Sequence, residues 1–262
     1  MHHYTMDLEI YDKMKGSPTY NDNVTKLIDI GKEIFKQLND NGIKITCFVT
    51  NDFLKEFEGF FFDYVEPFHE IGGHTCEHDY FINDVSAFRD SIIKNKDYIE
   101  KELGLQCLGF RSPGGIFPKN LPKYLIGSGF HYDSSLIPGI VPGRHFNILS
   151  DTEPYHPRPD NIYKTNPKNS GFIEFPMAVT PILRFSVSGF LHPYFYPLNR
   201  SFKTEMPQIT YMHLSDYVTL AGKNYIWDQF KWKVRNMKIF NEFVSDNEGK
   251  DLTLMKLSDK YQ

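Results

Sequence analysis

The alternation of strand-like and helix-like segments in the first half of the chain restricts its possible folds more than any other feature. Strands are predicted for five short apolar or β-branched runs, at residues 3–10, 43–49, 69–73, 108–111 and 131–134. Helices are predicted between them for four segments with apolar residues at helical spacing, at 24–38, 52–65, 85–103 and 121–126. Because this alternation is typical of parallel βαβ units, the sequence predicts an α/β fold with functional residues at the C-terminal ends of the strands.

The second half of the chain interrupts this alternation. Residues 139–170 contain five prolines and little periodicity, so we expect an inserted loop that covers a site. Further elements are predicted as strands at 172–176 and 208–213, a helix at 225–244 and a last strand at 252–257. The interval 178–207 is then a second inserted loop over the site. Because no linker or repeat divides the chain, residues 1–262 are predicted to form one domain.

The composition excludes several classes of partner. The 262 residues are 40% hydrophobic and 24% charged, as in ordinary globular proteins. A net charge of −4 and a pI near 6.2 give no basis for binding nucleic acid or an anionic membrane. No apolar run approaches the ~20 residues that span a bilayer, and no secretory leader precedes the first predicted strand, so we expect a cytoplasmic protein. The three cysteines, one of them in an apolar run, do not suggest a disulfide framework.

Two histidines four residues apart, His74 and His78, follow the third predicted strand. On a helical turn, imidazoles at this spacing share one face and can bind a single metal ion. Cys76 should then point away from that face, and we interpret it as a core residue. Glu77 and Asp79 are candidate hydrogen-bond acceptors for the imidazole N–H groups, with solvent-facing charges as the alternative.

The first predicted strand carries two carboxylates, Asp7 and Glu9, whose spacing directs both to the same side. A hydrolytic metal site needs metal ligands, a general base for water and an acid for the leaving group. These carboxylates are candidates for a ligand and the base. A solvated face on an edge strand is the alternative, although strands of a parallel barrel are seldom exposed.

Two later strand ends add further polar groups. Arg111 begins a turn with the sequence Arg-Ser-Pro-Gly-Gly, and its guanidinium could hold a carboxylate in place. Exposed backbone N–H groups of that turn could stabilise an oxyanion, while an ordinary salt-bridged βα turn is the alternative. His213 ends a late apolar strand, and a lone histidine there is more often structural unless other groups converge on it.

Taken in order, these segments resemble the motifs of the polysaccharide deacetylase family, also called the NodB-homology domain or carbohydrate esterase family 4. The H-[ST]-x-x-H motif is met by residues 74–78, and the R-x-P-x-G motif is approached by 111–115. The D-x-S-x-x-P motif matches residues 133–138, and the late leucine/histidine motif resembles 211–214. The first motif, at residues 5–9, is similar to a T-x-D-x-E variant of peptidoglycan deacetylase-like and allantoinase-like branches.

The resemblance implies a distorted, incompletely closed (β/α) barrel of about seven parallel strands. It also implies hydrolysis of the N-acetyl group of an amino sugar, so the expected partner is an N-acetylated sugar substrate. A divalent metal, in the first instance Zn²⁺, would be bound by His74, His78 and a first-strand carboxylate, with Glu9 favoured over Asp7.

The same resemblance implies roles for the remaining residues. Asp7 would be the general base, held by Arg111, and His213 would protonate the leaving amine. Asp133 would order the site, in one arrangement by fixing His213. The backbone that would assist the oxyanion belongs to Ser112, Gly114 and Gly115.

Two alternatives stay open at this point. One is an allantoinase-like amidohydrolase that acts on a small non-sugar amide, with or without a metal. The other is a catalytically silent carbohydrate-binding relative. The silent relative is disfavoured by the combined set of Asp7, Glu9, His74, His78, Arg111 and His213, because a binding module does not need that combination.

Overall fold

The computed structural model describes residues 2–10, 18–80, 84–141, 145–168, 171–182, 184–187, 192–201, 206–220 and 229–261. Within these ranges, seven parallel strands form one sheet that curls into an open half-barrel surrounded by helices. The predicted fold, an incompletely closed α/β barrel, is therefore confirmed.

The seven strands of this sheet are labelled in chain order. They are β1 (His2–Leu8), β2 (Thr46–Val49), β3 (Glu70–Gly73), β4 (Gly109–Phe110), β5 (Tyr132–Asp133), β6 (Ile173–Glu174) and β7 (Gln208–His213). Their order across the sheet is β6-β5-β4-β3-β2-β1-β7. Beyond the end of β6, Met177 forms an isolated parallel bridge with Ile209 of β7, so a local contact approaches closure without completing the barrel.

The helices lie between these strands and after them. They are α1 (Tyr20–Asp40), α2 (Asn51–Glu56), α3 (Val85–Asp97), α4 (Leu121–Gly127), α5 (His192–Ser201), α6 (Gln229–Asp246) and α7 (Leu254–Ser258). A short helix (Glu58–Phe60) and a π-helical turn (Phe61–Val65) follow α2, and a second π-helical turn (Tyr98–Glu102) extends α3. Asp84 caps α3 by accepting a hydrogen bond from the backbone N–H of Ala87. No helix among the described residues is both long enough and apolar enough to cross a membrane.

The first strand shows how the sheet separates core from site. Tyr4, Met6 and Leu8 are buried in the main hydrophobic core. Their neighbours Thr5 and Asp7 are also buried but contact an arginine across the sheet. Because successive side chains of a strand point to opposite faces, one strand supplies both the apolar packing and the polar interior.

The segment 139–170 is more regular than an inserted loop was expected to be. It contains two short antiparallel pairs, Ile140–Val141 with His145–Phe146 and Pro157–Arg158 with Asn161–Thr165. Tyr155 forms an antiparallel bridge with Glu174, which attaches the segment to the edge of the main sheet.

The prediction of a final strand at 252–257 is wrong, because this segment forms helix α7. The Thr253 hydroxyl caps the helix by accepting a hydrogen bond from the backbone N–H of Lys256. The apolar residues at 252, 254 and 257 fit either a short strand or a helical turn, so periodicity alone could not decide. The predicted helix at 225–244 is present from Gln229, and residues 225–228 lie outside the described part of the chain.

Candidate active site

A carboxylate and two imidazoles converge at the C-terminal end of the sheet. The Oε2 atom of Glu9 lies 3.1 Å from Nε2 of His74 and 2.6 Å from Nε2 of His78. Ligand atoms of these three buried residues all lie within 4.8 Å of one another. The other Glu9 oxygen, Oε1, is buried without a hydrogen-bond partner in the described part of the chain. Burial alone would raise the pKa of Glu9, but hydrogen bonds from the two imidazoles reverse this and hold its pKa well below the usual range.

The two histidines meet for a reason that differs from the prediction. The segment 74–80 is not helical, and Thr75 and His78 adopt left-handed backbone conformations with φ values of 65° and 58°. These two turns, rather than a shared helix face, bring both imidazoles to Glu9. The metal-site hypothesis was therefore reached through an incorrect local structure.

The histidine loop is anchored to the sheet at its start. The backbone N–H of His74 donates to Oδ1 of Asn95 at 2.9 Å, and its Nδ1 lies 2.8 Å from the carbonyl oxygen of Arg111. Because that carbonyl can only accept, Nδ1 carries a proton, and this bond turns Nε2 toward Glu9. Gly73 allows this approach, since a Cβ there would lie 2.6 Å from Oδ1 of Asn95.

Asp79, next to the second histidine, does not take the suggested supporting role for His74. The carboxylate of Asp79 accepts from the Ser91 hydroxyl, so the acceptor for His74 is the Arg111 carbonyl rather than an acidic side chain. Cys76 is half-buried beside α3, with its sulfur 3.5 Å from the carbonyl oxygen of Ser91. The interpretation of Cys76 as a residue directed away from the imidazoles fits this position.

A buried ion pair stands next to the histidine cluster. Arg111 donates through Nη1 to Oδ1 of Asp7 and to Oγ1 of Thr5, both at 2.7 Å. Its Nε and Nη2 atoms donate to the backbone carbonyl and the hydroxyl of Ser134. The guanidinium also stacks on the ring of Phe48, with 4.2 Å between its central carbon and the ring centroid. These contacts satisfy a buried charge and leave Oδ2 of Asp7 directed toward His213 at 4.0 Å.

His213 reaches the same group of side chains from β7. Its Nε2 lies 3.7 Å from Oε1 of Glu9, and its Nδ1 lies 3.1 Å from Oδ2 of Asp216. Burial would lower the pKa of His213, but the hydrogen bond with Asp216 and the charges of Asp216, Glu9 and Asp7 raise its pKa to about 9. The side chain keeps 19% exposure, so a substrate can reach a protonated imidazole here.

Asp133 occupies a different position from the one that the family resemblance implied. Its Oδ1 accepts from the hydroxyl of Ser135, and its carboxyl pairs with that of Glu174 rather than with His213. Burial raises the pKa of both carboxyls, and their mutual repulsion raises that of Glu174 further. Asp133 therefore orders the sheet edge beside Arg111, and the fixing of His213 belongs to Asp216.

The expected oxyanion turn is also corrected by the structure. The backbone N–H of Ser112 donates to the hydroxyl of Ser135 at 2.7 Å, and that of Gly115 donates to the carbonyl oxygen of Ser112 at 3.0 Å. Gly114 and Gly115 have positive φ values of 58° and 66°, which suit a tight turn. The turn therefore uses at least two of these N–H groups to fix the backbone behind Arg111, and they are not free for a substrate.

Sequence reasoning missed Asp216 and the partners of the arginine. Asp216 lies three residues after His213 in a short 3₁₀ turn, so an H-x-x-D spacing after a strand was the available signal. The serines 134 and 135 lie inside the recognised D-x-S-x-x-P motif, but their contacts with Arg111 and Ser112 need the fold to become visible. The expected pairing of Arg111 with Asp7 is present.

An α/β half-barrel with carboxylates, imidazoles and a buried arginine at the strand ends offers the ligands, base and acid that a hydrolytic reaction needs. Residues 18–132 match the family model described as polysaccharide deacetylase. This match covers less than half of the chain, and together with the fold it supports a hydrolase of the polysaccharide deacetylase type that acts on carbon–nitrogen bonds. The matched range includes His74, His78 and Arg111, whereas Asp7, Glu9 and His213 lie outside it.

Solved structures share this architecture at low sequence identity. A protein of Mycobacterium smegmatis described as a polysaccharide deacetylase is 15% identical, with a TM-score of 0.66 over 99% of this chain and 88% of that one. The Puue allantoinase is 16% identical, with a TM-score of 0.57 over 95% and 85% of the two chains. The Bc1960 peptidoglycan N-acetylglucosamine deacetylase is 14% identical, with a TM-score of 0.50 over 97% and 85%. These similarities show the fold, and no curated protein sequence matches the chain.

Proposed function

We propose that residues 1–262 form one catalytic domain that removes N-acetyl groups from an amino sugar with the help of a divalent metal. The observation that supports this most directly is the convergence of three groups at one end of the sheet. These are the Glu9–His74–His78 cluster, the Asp7–Arg111 pair and the His213–Asp216 pair. The family-model match over residues 18–132 supports the reaction type, and the named deacetylase among similar structures supports the acetylated sugar.

The cluster of Glu9, His74 and His78 fits a metal in its donor chemistry. Two imidazole nitrogens and one carboxylate oxygen are the ligand set of catalytic zinc, with a further position left for water or substrate. The Oε1 atom of Glu9 is a buried acceptor with no hydrogen-bond partner among the described residues, so it is available to ligate a cation. When bound there, Zn²⁺ would polarise the acetamide carbonyl and make nearby water more acidic.

Asp7 is the proposed general base. Its Oδ1 is held by Arg111, while Oδ2 remains on the side that faces His213 and Glu9. Asp7 thus accepts a proton from the water that attacks the carbonyl carbon, and Arg111 keeps the carboxylate oriented as that proton moves.

His213 is the proposed general acid. Its Nδ1 is bonded to Asp216, and the raised pKa keeps Nε2 protonated at neutral pH. His213 donates this proton to the sugar nitrogen as the C–N bond breaks, so acetate and a free amine are the products.

The inserted segments form a rim that we assign to substrate contact. Arg184 accepts at its carbonyl from the N–H of Ile140 and donates through its side chain to the carbonyl of Ile148. Tyr211 packs against the buried side chains of Ile137, Met177 and Val179. Its ring lies 5.5 Å, centroid to centroid, from the ring of His213. Three large apolar side chains on these segments are 71%, 96% and 83% exposed, namely Phe146, Leu149 and Ile182. Exposed apolar side chains of this kind suit the faces of sugar rings.

The second candidate is an allantoinase-like amidohydrolase. It is favoured by the T-x-D-x-E form of residues 5–9 and by the similar fold of the Puue allantoinase. In this case Asp7, Arg111 and His213 would act on a small cyclic amide, with or without a metal.

The experiment that separates these functions measures acetate release and metal dependence together. The purified chain is treated with a chelator, then assayed on N-acetylglucosamine oligomers and on allantoin before and after Zn²⁺ is added. We expect acetate release from the oligomers that is lost on chelation and restored by Zn²⁺. Hydrolysis of allantoin alone, or acetate release that survives complete metal removal, would contradict the proposal.

Two variants test the assigned base. Asp7→Asn should lower kcat by at least about 100-fold while bound Zn²⁺ is retained, because general base catalysis contributes about 10²–10⁴-fold. Asp160→Asn is the matched control, since Asp160 is exposed and pairs with Arg158 on the surface. An unchanged kcat in Asp7→Asn would remove Asp7 from the mechanism.

A further inference from the structure

A chain of buried polar side chains extends from the candidate acid toward the helical layer. We propose that Asn236 of α6 is a positioning residue for the His213–Asp216 pair, and that His192 of α5 and Tyr4 of β1 hold Asn236 in place. This inference rests on the proposed role of His213, and it adds three residues that neither the motifs nor the reaction assigns.

The distances along this chain are those of direct hydrogen bonds. The Nδ2 atom of Asn236 lies 3.0 Å from the backbone carbonyl oxygen of Asp216. Its Oδ1 atom lies 3.0 Å from Nδ1 of His192, and Nε2 of His192 lies 2.7 Å from the hydroxyl of Tyr4. Asn236 and His192 are fully buried and Tyr4 almost fully, so water does not replace these partners.

The donor and acceptor of each hydrogen bond in this chain follow from the Asp216 carbonyl at one end. The carbonyl of Asp216 can only accept, so the Asn236 amide must present its NH₂ group there and its oxygen to His192. The proton of His192 is then on Nδ1, which leaves Nε2 to accept from the Tyr4 hydroxyl. Burial lowers the pKa of His192 to about 4, so the imidazole is neutral and this tautomer persists at neutral pH.

The segment that Asn236 holds is the one that aims His213. The short turn Leu214–Asp216 follows β7 directly, and the carboxylate of Asp216 accepts from both the backbone N–H and Nδ1 of His213. Lys233, one helical turn before Asn236, donates to the carbonyl of Ser215 at 3.0 Å. Two side chains of α6 therefore clamp consecutive carbonyls of this turn.

This arrangement matters because the acid must point at one atom of the substrate. A displacement of about 1 Å at a reacting group can cost about 100-fold in rate. Loss of the Asn236 bond would free the Asp216 backbone and with it the carboxylate that orients the imidazole. A purely structural amide in the core would instead cost stability and leave turnover per folded molecule unchanged.

The test compares three variants that remove successively more distant links. Asn236→Asp keeps the shape and the acceptor for His192 but loses the donor to Asp216, and we expect a fall of about 10–100-fold in kcat with KM changed less than about threefold. His192→Phe should lower kcat less, and Tyr4→Phe least. The matched control is Asn247→Ala, because Asn247 is buried beyond the end of the same helix and its side chain donates to the carbonyl of Phe243 and accepts from Lys250, away from the His213 turn. It should lower the Tm and leave kcat unchanged.

A spectroscopic readout keeps the test independent of turnover. In ¹⁵N-labelled protein, Nδ1–H of His213 should give a slowly exchanging signal that is retained in Asn247→Ala and weakened or lost in Asn236→Asp. His213→Ala serves as the reference for the proposed function, since an unchanged kcat in that variant would remove the acid role itself.

The outcomes separate the two claims. If His213→Ala abolishes turnover while folded Asn236→Asp and Tyr4→Phe keep both the wild-type kcat and the His213 signal, the positioning role is wrong and the acid role stands. If the His213 signal changes in Asn236→Asp while Asn236→Asp and His213→Ala both keep the wild-type kcat, the geometry is right and the acid role is wrong. Asn236→Leu adds little, because a buried apolar replacement facing a carbonyl can prevent folding.

Discussion

Two glutamates at opposite ends of the same sheet, Glu70 half-buried and Glu9 buried, show how this fold divides stability from chemistry. Glu70, at the start of β3, accepts from the hydroxyls of Thr46 and Tyr132, each at 2.6 Å, and from the backbone N–H of Met255 at 3.0 Å. Glu9, just beyond β1, faces two imidazoles and keeps one oxygen without a partner. One end of the sheet satisfies its carboxylate with neutral donors, whereas the other leaves a need that a cation can meet.

The histidines of the two ends differ in the same way. His3 and His69 lie near the starts of β1 and β3, where burial lowers their pKa values to about 4 and about 3. His213 lies at the end of β7, where burial opposes protonation but three carboxylates raise its pKa to about 9. The end without carboxylate partners holds neutral imidazoles, and the candidate site holds a charged one.

The largest difference between the two glutamates should appear in Glu9→Gln. Loss of the carboxylate removes the anionic member of the cluster, and we expect Zn²⁺ affinity and kcat to fall by at least about 100-fold. Elemental analysis and acetate release measure the two effects. Zn²⁺ affinity and kcat equal to those of the wild-type protein would contradict the comparison.

Acidification should act on the end with the neutral histidines. A histidine whose folded pKa is lowered stabilises the protein fully above about pH 6.5 and loses that contribution as the pH falls toward its folded value. His3 and His69 should each account for on the order of 3 kcal/mol between about pH 6.5 and pH 4. Urea unfolding at stepwise pH measures this slope. His69→Gln should make it shallower, while exposed His131→Gln should not, and equal slopes in all three proteins would refute the assignment.

Glu70→Gln should produce the reverse of the Glu9 result. In Glu70→Gln, the amide NH₂ group faces one of the groups that donate to Glu70, so one hydrogen bond is lost. We expect the free energy of unfolding to fall by about 2 kcal/mol. Turnover per folded molecule should stay within about threefold of wild type. Chemical denaturation and kcat on the folded fraction check both expectations, and a selective loss of kcat would mean that the base of the sheet is coupled to the site.

The smallest effect is expected at the Asp133–Glu174 pair. A carboxyl whose folded pKa is raised contributes stability below its unfolded pKa and loses it as the pH rises toward the folded value. Glu174→Gln removes that titration. For each pH unit above about 4.5, the free energy of unfolding should therefore fall by on the order of 1 kcal/mol less in the variant than in the wild-type protein. Thermal unfolding across this range provides the measurement, with Glu153→Gln on the exposed loop as control.

Much of the fold was predictable from the sequence, because the strand–helix alternation carries its own periodicity. The parallel sheet and most element positions followed from it. Helix α7 was not predictable, because its five residues have three apolar positions that fit the period of a strand as well as that of a helix. The Thr253 cap and the contacts with Thr46 and Glu70 select the helix. Short segments receive their structure from tertiary contacts that a sequence pattern does not contain.

The candidate site was predictable in its residues but less so in its geometry. The His74/His78 pair suggested the right partners for a wrong reason, since the left-handed conformations of Thr75 and His78 have no strong sequence signal. The proposed link between Asp133 and His213 failed because motif order does not report which residues meet across the barrel. The partner was Asp216, only three residues from His213.

The two left-handed residues of the histidine loop have a consequence for how a metal would be captured. Each such conformation costs on the order of 1 kcal/mol or more, and the surrounding contacts of His74 with Asn95 and Arg111 hold the loop in it. That cost is met during folding, when the sheet forms. A cation arriving later therefore meets imidazoles that are already immobilised, and its affinity is not reduced by the entropy of ordering a flexible loop.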